Sequence, residues 1–231
     1  MEAIAVSQVV IACVNRSGGS RTAVEWAAHE ASLRELPLEV RYGSPPDDLS
    51  TAAMLVLDLP TTEDDTTDLA TSSAALTSTT AFACPVVLLP VATPARRAKQ
   101  ITLGIDARHP AEQAIDFAFG AAQVRGVRLH AVHAWELPSC AAGLRFGIPE
   151  EDRATWEDHE VQLLADALRP WRVKYPRVPV LEDVVLLTPA DALLHHAEGA
   201  ALLVVGRGSG EAPGFVQALL REARSPVALV P

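Results

Sequence analysis

A chain of 231 residues with 49% hydrophobic and 21% charged residues has the composition of a folded protein, which excludes collagen-like and intrinsically disordered chains. Nineteen basic against twenty-nine acidic residues give a formal net charge of −10, so no basic stripe is available to neutralise a nucleic-acid backbone, and DNA and RNA are not expected partners. No apolar run approaches the roughly 18–20 residues that span a bilayer, and the first residues lack a basic segment ahead of their apolar part, so neither export nor a membrane partner is expected.

The first apolar run, 8–14, is β-branched and predicts a strand. A helix follows, with Ser20 as its N-cap and Ala23, Val24, Ala27, Ala28 and Ala31 as its buried stripe. Strands are predicted at 38–42, 54–58 and 85–90, and the acidic, Thr-rich stretch 61–80 reads as a solvated loop running into a helix. Residues 93–100, with Arg96, Arg97 and Lys99, read as a charged linker. The pattern then restarts with a strand at 101–105 and a helix that has Pro110 at its first position and Ala114, Ile115, Ala118 and Ala122 as its stripe. A strand at 128–134 precedes a helix carrying Trp156, Leu163, Leu164, Ala167, Leu168 and Trp171, and strands at 183–187, 201–205 and 226–230 complete the series. Alternating helices and continuous Val/Leu/Ile runs argue for an α/β fold with a parallel sheet covered on both faces.

The restart is an internal repeat: residues 9–43 align without gaps on 100–134, at an offset of 91. Asn15 pairs with Asp106, Trp26 with Phe117, Arg34 with Arg125 and Leu38 with Leu129. Two further matches keep the same order. SPPDDL (44–49) and AMLVLD (53–58) match TPADAL (188–193) and ALLVVG (201–206), and CPVVLLP (84–90) matches SPVALVP (225–231). Two units are therefore expected, 1–92 and 101–231. The first is truncated: it passes from Gly43 straight to Ser44, where the second carries about fifty residues with one more helix and one more strand.

The segments LGID (103–106), AVHAW (131–135), TPADALLHHAEGAALLVVG (188–206) and SPVALVP (225–231) make the chain resemble the universal stress proteins in their tandem two-domain form. The resemblance implies two open parallel sheets with helices on both faces. It also implies antiparallel pairing of the last strands, 85–90 with 226–231, as an intrachain pseudo-dimer that can pair again into a homodimer. Binding members of the family hold ATP or another adenine nucleotide with an Asp after the first strand, a main-chain group after the second, and a glycine loop after the fourth that ends in Ser or Thr. Glycines let backbone N–H groups approach phosphate oxygens. The resemblance thus offers Asp106 and Ala134 for the adenosine, and Gly206, Arg207, Gly208, Ser209, Gly210 and Gly214 for the phosphates. The loop departs from the pattern, because Gly208 follows Gly206 after one residue, the loop is about six residues short, and Phe215 stands in place of Ser or Thr. In the first unit Asn15 replaces the acid and Asp58-Leu59-Pro60 replaces the loop.

Other candidate residues carry less. His195 and His196 diverge by about 100° on a helix, which is poor geometry for chelating one metal, and read as helix-surface positions, while His130 and His133 have opposite strand parity. Cys13 and Cys84 fall beside strands and read as buried, and Cys140 falls in a loop; three widely spaced cysteines suit a reducing cytoplasm rather than a disulfide framework. No nucleophile elbow, metal motif or catalytic constellation is present in the sequence. The favoured reading is a non-enzymatic stress-response protein with degraded nucleotide loops that acts through protein partners. The alternative is an adenine-nucleotide sensor working through the second unit.

Overall fold

A computed structural model of the chain describes residues 8–14, 21–43, 45–46, 48–58, 82–90, 98–137, 150–207 and 213–231. Nine strands form one sheet: β1 (Val9–Val14), β2 (Leu38–Tyr42), β3 (Ala52–Asp58), β4 (Val86–Leu89), β5 (Gln100–Gly104), β6 (Arg128–Ala134), β7 (Val180–Val185), β8 (Leu202–Gly206) and β9 (Val227–Val230). Their order is β2-β1-β3-β4-β9-β8-β5-β6-β7, and every neighbouring pair is parallel except β4 and β9. Read outward from that antiparallel seam, β4-β3-β1-β2 on one side mirrors β9-β8-β5-β6 on the other, and β7 extends the second side. The seam itself pairs Val86 with Leu229, Val87 with Ala228 and Leu88 with Val227. Both strands would otherwise end their half of the sheet as open edges.

Five helices cover the sheet among the described residues: α1 (Arg21–Arg34), α2 (Glu112–Arg125), α3 (Glu150–Lys174), α4 (Pro189–His196) and α5 (Pro213–Glu222). Strand alternation divides the core in two. Val10, Ala12, Met54, Val56, Ile101, Leu103 and Val204 belong to the core on the side of α1, α2 and α3, whereas Ile11, Leu55, Leu203, Val205 and Leu229 belong to the core on the opposite face, to which α4 and α5 contribute. α2 ends where Gly126 adopts φ 62°, a left-handed turn that lets its N–H reach the carbonyls of Ala122 and Gln123.

Three local expectations are corrected. Pro110 lies ahead of α2, whose N-cap is Ala111. In α1 Ala28 is exposed, and the buried stripe takes in Glu30 instead, because the charge of Glu30 is met by arginines. β7 begins at Val180 rather than 183: the N–H of Leu129 donates to the Pro179 carbonyl at 2.8 Å, and the ladder with β6 starts there. The hydrophobic pair Leu186 and Leu187, which suggested the later range, lies past the strand and is exposed. Ser20, Asn15 and Cys140 lie outside the described residues. Cys13 and Cys84 are buried and free, and burial pushes the Cys13 thiol up to about 11, which leaves it inert at neutral pH. No described helix is long and apolar enough to cross a membrane.

Candidate functional site

At the carboxyl ends of β5, β6 and β8 the parallel strands splay from the helices and leave a cavity of about 870 Å³. This is where open α/β sheets place their ligands, and the volume suits a molecule of nucleoside size. Asp106, Ala134 and Gly206, three of the residues singled out from the sequence, all border it. Its wall is apolar, built from Leu103, Ile115, Val132, Leu193, Val205 and Phe215, and Arg108, His109, Glu136 and Thr188 add polar groups at the mouth. Thr188 also starts α4: its hydroxyl oxygen accepts from the Asp191 N–H, fixing the helix whose first turn lines the cavity.

Asp106 sits two residues past β5, in a turn that it builds itself. Its Oδ1 accepts from the Arg108 N–H at 2.9 Å, and its Oδ2 lies 3.1 Å from His109 Nδ1. Partial burial raises its pKa, but the Arg108 N–H, the His109 hydrogen bond and the nearby His109 and His133 charges outweigh that and hold the carboxyl below its ordinary value. The group therefore presents a half-exposed carboxylate at the border of the cavity at neutral pH.

Gly206 is required by packing. A Cβ built there would lie 2.7 Å from the Cβ of Ala111 at the start of α2. Since neither methyl can swing away, Gly206→Ala is expected to cost about 1–3 kcal/mol through a forced backbone shift. Urea denaturation checks this, with a lower midpoint at unchanged slope as the expected result.

Behind two residues of the cavity wall, Arg108 and His133, lies a group that sequence reasoning missed. Glu160 of α3 is almost fully buried and receives Arg108 Nη2 and, at 3.1 Å, His133 Nε2. His133 in turn places Nδ1 3.1 Å from the Ile105 carbonyl and 3.4 Å from the Ala107 N–H, so it braces the turn that carries Asp106. The signal was available: Glu160 falls four residues after Trp156 and four before Leu164, inside the apolar stripe of α3. His130, as parity requires, projects to the opposite sheet face, toward Asp183 and His196.

Arg207 is not part of this cavity. Its guanidinium Nη2 donates to the carbonyls of Phe82 and Cys84 at 2.6 and 3.2 Å, across the seam in the other half of the sheet. The reading of Arg207 as a phosphate partner is therefore at odds with its position. One residue past Gly206, the alternation of the backbone turns the side chain toward the segment ahead of β4, where the carbonyls of Phe82 and Cys84 accept it. Gly208, Ser209 and Gly210 lie outside the described residues, and Gly214 falls in the first turn of α5.

Comparison with known proteins gives a consistent result. The sequence model of the universal stress protein family matches residues 97–231, more than half of the chain. A universal stress protein of Mycobacterium tuberculosis is 36% identical over 159 residues, covering 62% of this chain and 50% of the relative. One of Mycolicibacterium smegmatis is 38% identical over 132 residues, covering 55% of this chain and 41% of the relative. The chain thus spans about half the length, or less, of these curated relatives. Among solved structures, a universal stress protein from Archaeoglobus fulgidus superposes with a TM-score of 0.56 at 14% identity, over 96% of this chain and 85% of that one. A protein of unknown function from Pseudomonas aeruginosa superposes with a TM-score of 0.53 at 15% identity, over 98% of this chain and 83% of that one.

Proposed function

The chain belongs to the universal stress protein family, and from that membership we propose that it is a non-enzymatic regulatory protein of the stress response. In this reading its second unit, 101–231, takes up an adenine nucleoside or nucleoside monophosphate and passes its occupancy to protein partners. The observation that carries this is the convergence of Asp106, Ala134 and Gly206 on one nucleoside-sized cavity while Arg207 is engaged elsewhere. A carboxylate after the first strand of the unit suits ribose hydroxyls, and the apolar wall suits a flat base. Phe215, half-buried at the cavity where binding members carry Ser or Thr, removes a donor for phosphate oxygens. The grip on a triphosphate is therefore weak.

Residues 1–92 are read as a shortened copy of the same unit. The repeat at an offset of 91 and the mirrored strand order support that reading. Asp58, at the end of β3 where the second unit has Gly206, makes the first unit a poor anion site.

Calorimetry with adenosine, AMP and ATP tests the proposal. Adenosine and AMP are expected to bind one per chain, ATP to gain less than about tenfold over AMP, that is under about 1.4 kcal/mol, and Asp106→Ala to weaken all three. Absence of binding at millimolar ligand would leave an interaction protein without a nucleotide, the reading that Phe215 favours. ATP binding far tighter than AMP would overturn the weak phosphate grip.

A further inference from the structure

On the sheet face away from Glu160, toward the amino ends of β5 and β6, three side chains meet that the nucleoside cavity does not use. His130 comes from β6, Asp183 from the neighbouring β7, and His196 is the last residue of α4. His130 Nε2 lies 3.3 Å from Asp183 Oδ2, and His196 Nδ1 lies 3.5 Å from the same oxygen. One ligating atom from each of the three lies within 4.8 Å of the others. Ligands about 2.0–2.1 Å from a tetrahedral ion stand roughly 3.3–3.4 Å from each other, whereas a direct charge-assisted hydrogen bond closes to about 2.7–2.9 Å. The spacing is that of groups arranged around a common centre.

The surroundings agree with such a centre. His130 is 5% exposed, so an ion on its Nε2 would be held away from bulk solvent on that side. The rings of His130 and His196 meet edge to face, with centroids 5.1 Å apart. The backbone of His196 is fixed, because its carbonyl accepts from Gln100 Nε2 at 3.3 Å and from Thr102 Oγ1 at 3.2 Å. His130 and Asp183 are fixed by the β6–β7 ladder. Ligand groups held on regular elements need little reorganisation to bind. A cavity of about 460 Å³ opens beside the two histidines, with Lys99 and Arg128 at its rim.

We propose that His130, Asp183 and His196 form a binding site for a divalent transition-metal ion of the zinc class, with a fourth position open to the adjoining cavity. Two imidazoles and one carboxylate select such ions over magnesium and calcium, which take oxygen ligands. Water or hydroxide from that cavity, whose lining carries Lys99 and Arg128 together with Glu198, can complete the fourth position. The residues that the sequence made adjacent, His195 and His196, are not the pair that chelates: the partner of His196 is brought to it by the sheet.

The test uses tag-free protein stripped with a chelator and titrated with cobalt(II) and then zinc. The expected result is one cobalt per chain with the visible absorption of a low-coordinate ion, displaced by an equimolar amount of zinc, and a higher Tm with zinc. Asp183→Asn and His196→Gln should each weaken binding at least about tenfold and remove the absorption, while His29→Gln, at an exposed position on α1, keeps both. Circular dichroism of the metal-free variants checks their fold, and if Asp183→Asn misfolds, His196→Gln at the helix end decides. Absence of a stoichiometric cobalt spectrum, or a spectrum that survives both substitutions, would overturn the site.

Discussion

Glu30→Ala is expected to destabilise the protein by about 3–5 kcal/mol, because it leaves two guanidinium groups without their shared counter-ion inside the α1–α2 contact. Glu30 has no exposed surface. One of its oxygens accepts from Arg34 Nε at 2.6 Å, one turn along α1, and the other from Arg125 Nη2 at the end of α2. Burial lowers the pKa of Arg125, the charge of Glu30 opposes that shift, and Arg34 adds to it. Without the carboxylate the two cations face each other in a poorly solvated contact, where the Arg34 guanidinium also stacks 5.0 Å from the centre of the Phe117 ring. Glu30→Gln keeps the shape and loses the charge, and should retain part of the stability. Joint replacement of Glu30 and Arg125 by Leu and Met is expected to recover much of the loss, as apolar substitutes for buried ion pairs do. Urea titrations of the single and double variants measure all of this. A wild-type midpoint for Glu30→Ala would show that the buried carboxylate contributes nothing.

Glu160→Ala should be nearly as damaging, at about 3 kcal/mol, since it strands His133 in the interior and releases Arg108. Its second effect is local. His133 Nδ1 sits against the carbonyl of Ile105 and the N–H of Ala107 and hydrogen-bonds one of them according to its protonation, and the turn between them carries Asp106. The same variant is therefore expected to bind AMP more weakly than the wild type at a temperature where both are folded. Glu160→Gln keeps one acceptor oxygen, enough for Arg108 or His133 but not both, and turns its NH2 group toward the other, so it should fall between the wild type and the alanine variant. Denaturation and calorimetry on one set of samples separate the two effects. An alanine variant with lowered stability and unchanged AMP affinity would confine Glu160 to a packing role.

Much of the architecture was legible because it rests on local periodicity. Continuous Val, Leu and Ile runs and Ala stripes with period 3.6 specify the strands and helices with few errors, and the family resemblance pointed to the matched segments at 84–90 and 225–231 as the strands that pair at the seam. The errors fall where a long-range partner decides. The start of β7 depends on the Pro179 carbonyl meeting Leu129, and Leu186-Leu187 are hydrophobic without being covered. Asp106, Ala134 and Gly206 could be picked out because the resemblance to the universal stress proteins assigns them as site positions at the carboxyl ends of β5, β6 and β8. The buried charges of Glu30 and Glu160 could not be fully assigned partners, because Arg125 reaches Glu30, and Arg108 and His133 reach Glu160, from other elements. Arg207 shows the converse: a residue adjacent in sequence to Gly206 is held by carbonyls more than a hundred positions earlier.

The seam between β4 and β9 lies within one chain, so its formation is a unimolecular event that dilution cannot reverse. Where two identical copies meet about a two-fold axis, any substitution appears twice, and a new charge on one side is imposed on the other. Joined on one chain, the two sides change one at a time. That independence is visible where the repeat-related Arg34 and Arg125 meet. The position equivalent to Glu30 is Ala121, so a lone acid serves two arginines. An arrangement copied on both sides would have to bury two carboxylates in the space that holds one.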